Sequence, residues 1–197
     1  NIHHQNSDQG FLMLDDFGNN DFFKTLDHKN ADHYYKKAID ELIKIQKSPN
    51  NQALPLFDEA HIKKELSLFT DWYLKKHLGM SSVSLENTFD LLAKNCLKQP
   101  YTTIHRDYHC RNLMLLHDDS VGIIDHQDLM YGPISYDLVS LLKDCYIDWP
   151  DDQVKTWVNY YLQMRPTACE NFFELFELTG LQRHLKAIGI FARLSHR

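Results

Sequence analysis

Apolar positions recur at helical spacing over most of the chain and turn strand-like only near its start and middle. Between Ala31 and Lys47 the residues Ala38, Ile39, Leu42, Ile43 and Ile45 form one stripe, and Ser48-Pro49-Asn50-Asn51 ends it. The run Tyr34-Tyr35-Lys36-Lys37 reads as the solvated face of that helix. From Asp58 to Leu78, Ile62, Leu66, Phe69 and Tyr73 repeat the period, with Gly79 as the stop. Trp72 and Tyr73 lie on this stripe and are expected in the core rather than stacked on a ligand. Ser81 or Ser82 is the expected cap of a third helix carrying Phe89, Leu92 and Cys96 and ending before Pro100. Further helices are predicted from near Ser135, over Asp151 to Met164, and from Thr167 to the end.

Strand signals are short. Phe11-Leu12-Met13-Leu14 predicts a buried strand, followed by a turn at Asp15-Asp16-Phe17-Gly18. Tyr101-Thr102-Thr103-Ile104 predicts another strand. Leu113–Leu116 and Val121–Ile124, joined by His117-Asp118-Asp119-Ser120, predict a β-hairpin. The expected fold class is therefore α+β and mostly helical. Its strands cluster at residues 101–124, which sets the loops at 105–112 and 125–128 side by side.

Composition narrows the classes. The chain has 197 residues, 43% hydrophobic and 24% charged, as in an ordinary globular protein. At that length roughly 70% of the unfolded surface can be buried, so no disulfide or metal staple is required. The balance of 21 basic and 27 acidic residues leaves a net charge of −6 with the lysines scattered, which argues against a nucleic-acid partner. No run of about 18 apolar residues predicts a membrane span. Cys96, Cys110, Cys145 and Cys169 lie far apart without a CxxC, the pattern of buried reduced thiols in a cytoplasmic protein. The opening residues have no basic-then-apolar pattern of a signal peptide. The chain starts at Asn1 rather than Met and stops at Arg197 within a helical pattern, so both ends are expected to be cut.

Candidate chemistry concentrates in His105-Arg106-Asp107-Tyr108-His109-Cys110-Arg111-Asn112. Asp107 and Asn112 stand five apart, and Asp125 follows Asn112 by thirteen residues at the end of an apolar strand. Phosphoryl transfer asks for a carboxylate that orients the attacking hydroxyl and for oxygen ligands on the magnesium bridging the phosphates, and this set supplies both. His105 and His109 also stand four apart. A zinc helix needs Glu directly after the first His, where Arg106 stands, and no third ligand is evident.

The spacing His-x-Asp-x-x-x-x-Asn, a hairpin, then Ile124-Asp125-His126-Gln127-Asp128 resembles the catalytic core of the protein-kinase-like superfamily. With Gly132-Pro133-Ile134-Ser135-Tyr136-Asp137-Leu138 it resembles the aminoglycoside phosphotransferase and choline kinase branch. The segments Gly122–Leu142 and Gly180–Leu194 look most like the bacterial kinases of N-acetylmuramate and N-acetylglucosamine, which phosphorylate the anomeric hydroxyl in cell-wall recycling. The resemblance implies ATP and Mg²⁺ as cofactors and a small-molecule acceptor, an amino sugar first. It makes Asp107 the catalytic base and Asn112 and Asp125 the metal ligands. His105 becomes a loop brace and Asp137 an anchor in its helix's first turn. Leu14 and Asp15 fall in the hinge that receives adenine. Arg111, His109 and Gln127 are candidate substrate contacts, with Arg111 set to pair with the lactyl carboxylate of muramate. Asp128 is a candidate for the metal's surroundings, and Arg183 for a salt bridge or a substrate contact.

The family's glycine-rich phosphate loop and its phosphate-gripping lysine are missing from this chain. Residues 1–18 are accordingly expected to be hinge strand and linker from an absent N-terminal lobe, and 19–197 the helical C-terminal catalytic lobe, inactive alone. The alternatives are an aminoglycoside or choline-type acceptor, or a non-catalytic kinase-like binding module.

Overall fold

The computed structural model describes residues 2–48, 54–166 and 169–197. The chain opens with two strands, β1 (Ile2–Asn6) and β2 (Phe11–Leu14), then a single-turn helix α1 (Phe22–Thr25) and the long α2 (Ala31–Lys47). Next come α3 (Glu59–Leu68), which runs directly into a wider π-helical stretch over Phe69–His77, and α4 (Glu86–Leu97). The middle holds β3 (Tyr101–Ile104), a 3₁₀ turn at Cys110–Asn112, β4 (Leu113–Leu115), β5 (Val121–Ile123) and β6 (Met130–Pro133). The helices α5 (Tyr136–Leu142), α6 (Asp151–Met164) and α7 (Phe172–Ser195) complete it.

Two apolar cores meet at α5. One joins Ala38, Ile39 and Leu42 of α2 to Leu138 and Leu141 of α5 and to Trp157 and Tyr161 of α6. The other joins Ile62 and Leu66 of α3, Leu92 and Cys96 of α4, Ile104 and Tyr136. The predicted stripe of α2 is thus the buried face. Tyr35, expected in solvent, is fully buried and stacks on Trp157 at 4.1 Å between ring centres. Trp149 Nε1 donates to its hydroxyl at 2.8 Å, which satisfies the one polar atom that burial would otherwise strand. Its neighbours on the run behave as expected: Lys36 pairs with Asp32 at 2.7 Å and Lys37 with Asp119 at 2.6 Å, both at the surface.

The strands form three antiparallel pairs, β1 with β2, β3 with β6, and β4 with β5. The hairpin Leu113–Leu115 with Val121–Ile123 is the predicted one. Strand β3 pairs with β6, a strand that the sequence pattern does not announce because Gly132 and Pro133 occupy half of its four positions. Strand β2 forms where expected, but Phe11, Leu12, Met13 and Leu14 are all exposed rather than buried. Its hydrogen bonds go to β1, and neither face of this two-stranded hairpin belongs to either core.

Helix α3 starts on Asp58, whose side chain accepts from His61 N at 2.9 Å. The stretch ends at Leu78, with Gly79 at φ +69°, a left-handed stop that glycine adopts without a Cβ penalty. Between them, the π turns add a residue per turn and shift the helical phase. Leu74 is therefore the buried residue, while Trp72 and Tyr73 are only half-buried and Tyr73 stacks between Phe69 and His77. The fold places α7 against this segment at its closest backbone approach. A Cβ on Gly189 would fall 2.4 Å from the carbonyl carbon of Leu68, so only glycine fits the crossing.

Helix α4 begins at Glu86 with Leu85 at its N-cap position and no side-chain cap, rather than capped by Ser81 or Ser82. The last helix starts at Phe172, and its expected start at Thr167 lies outside the described residues, as do Pro49, Asn50 and Asn51. Cys96 and Cys110 are buried as expected, whereas Cys145 is exposed and Cys169 partly so, because both sit in connections between helices. Among the described residues no helix is long and apolar enough to cross a membrane.

Candidate active site

The loop between β3 and β4 is held by two fixed points. Asp137, in the first turn of α5 and fully buried, accepts from His105 N at 2.6 Å and from Arg106 N at 2.9 Å. Burial pushes its carboxyl up from the ordinary aspartate range, and the two amides pull the other way. His105 then reaches across to the residue after β5, its Nε2–H donating to the carbonyl of Ile124 at 3.0 Å. The loops at 105–112 and 125–128 are therefore adjacent, and the Ile124 amide donates to the Asn112 carbonyl at 3.1 Å.

Two non-glycine residues take left-handed backbone here, Arg106 at φ +74° and Asp125 at φ +66°. Each such residue costs about 1–2 kcal/mol, less for Asp. The turns aim the side chains that follow or carry them into one cleft. Asn112 Nδ2 donates to the Asp107 carbonyl at 3.0 Å and reaches Asp125 Oδ2 at 3.5 Å. Gln127 Nε2 donates to Asp125 Oδ1 at 2.5 Å. The Asp107 carboxylate is half-buried and accepts no hydrogen bond from the described residues.

The cleft, about 500 Å³, is lined on one side by Asp107, His109, Arg111, Asn112 and Asp125 and on the other by Arg183, Lys186, Ile190 and Phe191 of α7. Asp144 closes its floor, accepting from the amides of Cys110 at 2.9 Å and Tyr146 at 3.0 Å. Arg111 lays its guanidinium over the Tyr146 ring at 5.0 Å, and His109 meets the same ring edge-on. Burial pushes the His109 imidazole below its ordinary value, with Asp144 pulling against it. A second hollow of about 620 Å³ lies between α5, α6 and the start of α7. It shares only Asp144 with the cleft and contains none of Asp107, Asn112 and Asp125.

The cleft thus gathers Asp107, Asn112, Asp125, Arg111 and His109, while His105 and Asp137 lie beneath it as braces. Gln127 is exposed and spends its amide on Asp125, and Asp128 is exposed beyond it. Leu14 and Asp15 sit at the exposed end of the β1–β2 hairpin, where Asp15 bonds His3 at 2.5 Å. Among the described residues no group of three or more His, Cys, Asp or Glu is arranged to hold a metal ion.

The pattern did not reveal Glu65 and Lys186. Glu65 of α3 is 7% exposed and pairs with Lys186 at 2.8 Å and Arg106 at 3.2 Å, while taking bonds from Tyr136 and Gln182. Burial alone would raise its carboxyl, but the Lys186 and Arg106 charges hold it below the ordinary value. Its one sequence signal is its place between Ile62 and Leu66, a carboxylate on an apolar stripe. Arg183 makes no salt bridge among the described residues; its Nη2 donates to the Arg106 carbonyl at 3.3 Å and it lies over the Tyr136 ring.

Solved structures with the same fold are an aminoglycoside-3'-phosphotransferase of type VIII (12% identity, TM-score 0.64, 88% of this chain and 68% of that one) and a choline kinase from Streptococcus pneumoniae (15%, 0.62, 87% and 59%). What they share with this chain is the fold, mostly helical with short strand pairs. The model of the phosphotransferase enzyme family matches residues 3–170, and the chain belongs to that family. It is 40% identical to the N-acetylmuramate/N-acetylglucosamine kinase of Pseudomonas aeruginosa over 205 aligned residues, 98% of this chain and 60% of that protein. The enzyme of the same name from Neisseria meningitidis serogroup B is 39% identical over 98% of this chain and 63% of its own length. The chain spans about three fifths of the curated relatives it matches.

Proposed function

We propose that the protein transfers the γ-phosphoryl group of ATP to a hydroxyl of a small molecule, and that the acceptor is the anomeric hydroxyl of N-acetylmuramate or N-acetylglucosamine. In this reading 19–197 is the catalytic lobe and 1–18 leads in from a nucleotide lobe, with Leu14 and Asp15 at the hinge. The observation that carries it is the unbonded Asp107 carboxylate in one cleft with the Asn112–Asp125 pair. Asp107 accepts the hydroxyl proton as the acceptor oxygen bonds to the γ-phosphorus and the bond from that phosphorus to ADP breaks.

The donor set fits Mg²⁺. Asn112 spends its Nδ2 on Asp107 and Asp125, which leaves Oδ1 as a neutral oxygen donor beside the Asp125 carboxylate. A hard cation that keeps waters and phosphate oxygens needs few protein ligands, and it supplies charge neutralisation on the phosphates. Asp125→Ala is expected to lose Mg²⁺-dependent nucleotide binding by at least about tenfold. An unchanged metal titration refutes that role.

The names of the relatives support the amino-sugar acceptor. Among the described residues Arg111 and Arg183 make no ion pair within 4 Å, which leaves a guanidinium on each side of the cleft for an acceptor's oxygen atoms or carboxylate. The test is ADP release by the full-length protein on N-acetylmuramate, N-acetylglucosamine, kanamycin and choline. Turnover on kanamycin or choline alone overturns the acceptor reading and keeps the phosphotransferase. Tight Mg²⁺-ATP binding with no turnover on any acceptor favours a binding module. Within the amino-sugar reading, Arg111→Ala is expected to raise KM for muramate about tenfold more than for glucosamine, because only muramate carries the lactyl carboxylate. Equal effects on the two remove Arg111 from that role.

A further inference from the structure

The residue before Asp107 is held by three helices at three different groups. Its amide donates to Asp137 of α5, its carbonyl accepts from Arg183 of α7, and its guanidinium pairs with Glu65 of α3. The third hold is the unexpected one. At φ +74° glycine is the unstrained residue, yet arginine stands there. Its side chain reaches a carboxylate that is itself buried and shared with Lys186 and Gln182 of α7 and Tyr136 of α5. Lys186 and Arg183 are also wall residues of the cleft. One buried carboxylate therefore joins the α7 wall to the backbone that carries Asp107.

We propose that Arg106 is a positioning residue: its ion pair with Glu65 sets the Asp107 carboxylate in register with the α7 wall against which the acceptor lies. The proposal rests on the reading of Asp107 as the base. Without the guanidinium, the amide and carbonyl holds still keep the loop in place. Rotation at the left-handed residue is then less restrained, and the next side chain shifts. Misplacing a reacting group by about an ångström costs on the order of a hundredfold in rate. The loss falls on the chemical step rather than on nucleotide binding, because Asn112 and Asp125 are joined across the hairpin by the Ile124 amide on the Asn112 carbonyl, a bond that does not pass through residue 106 or 107.

The experiment compares Arg106→Gly, Arg106→Lys and Asp107→Asn in the full-length protein, with Mg²⁺-ATP and whichever of the four acceptors turns over. Arg106→Gly is expected to lower kcat by about thirty- to a hundredfold, with KM for ATP within about twofold of the parent and the melting temperature within a few degrees, since glycine relieves the φ strain. Arg106→Lys can still reach Glu65 and is expected to restore kcat to within about fivefold. If the glycine variant does not fold, Arg106→Gln, which keeps the stem and removes the charge, takes its place. Parent-like kcat in the glycine or glutamine variant, with Asp107→Asn inactive, overturns the positioning role alone. So does a loss that lysine does not rescue, or one that simply follows a fall in melting temperature. Parent-like activity of Asp107→Asn overturns the base reading, whatever Arg106 does.

Discussion

Asp107→Asn is expected to reduce turnover by about a hundred- to ten-thousandfold while leaving Mg²⁺-ATP affinity within about threefold. The two side chains have the same shape, so the cleft keeps its packing. The bond that holds the loop runs from Asn112 to the backbone carbonyl of residue 107, which the substitution leaves in place. The only change is at a carboxylate that accepts no hydrogen bond from the described residues. An amide cannot take the proton from an incoming hydroxyl at neutral pH. Nucleotide affinity is spared because the proposed metal ligands are other residues. ADP release and a nucleotide titration on the same preparation read the two quantities. A variant that keeps more than a tenth of the parent turnover ends the assignment.

Asp137→Ala is expected to cost about 3 kcal/mol of stability. The carboxylate is fully buried and answers two backbone amides, His105 N at 2.6 Å and Arg106 N at 2.9 Å. Removing it leaves one buried and one partly buried donor without a partner, at about 1–3 kcal/mol each. For a chain of this size that corresponds to a fall in melting temperature of roughly 6–12 °C. Asp137→Asn still offers one carbonyl oxygen and is expected to lose about half as much. A shift below about 3 °C for the alanine variant, read by thermal unfolding, contradicts the bracing role.

The three groups proposed for chemistry were legible because they are local. Asp107 and Asn112 belong to one short loop, and the β4–β5 hairpin that brings Asp125 back is marked by two apolar runs around a polar turn. The long helices were legible for the same reason, since α2 and α6 announce their buried faces at a fixed period. What escaped was relational. Glu65 and Lys186 meet across 121 residues of sequence, and no period links two charges on different helices. Tyr35 reads as a surface tyrosine until Trp149 and Trp157 close over it. Tyr73 was misplaced by a change in helical pitch, which shifts every later residue around the axis and has no composition signal of its own. Strand β2 met its predicted bounds but not its predicted burial, because an apolar run states a preference for cover and not where the cover lies.

The crossing at Gly189 bears on the wall that α7 gives the cleft. Here α7 touches the backbone of Leu68 and Phe69 with nothing between, and its next turns carry Lys186, Ile190 and Phe191 into the cleft wall. The seat of the α7 wall is thus set by main chain against main chain, a spacer of zero thickness that side-chain rotamers cannot adjust. Any residue with a Cβ at 189 must move one helix off the other, so bulk at that one position, which belongs to none of the proposed reacting groups, displaces a wall of the cleft.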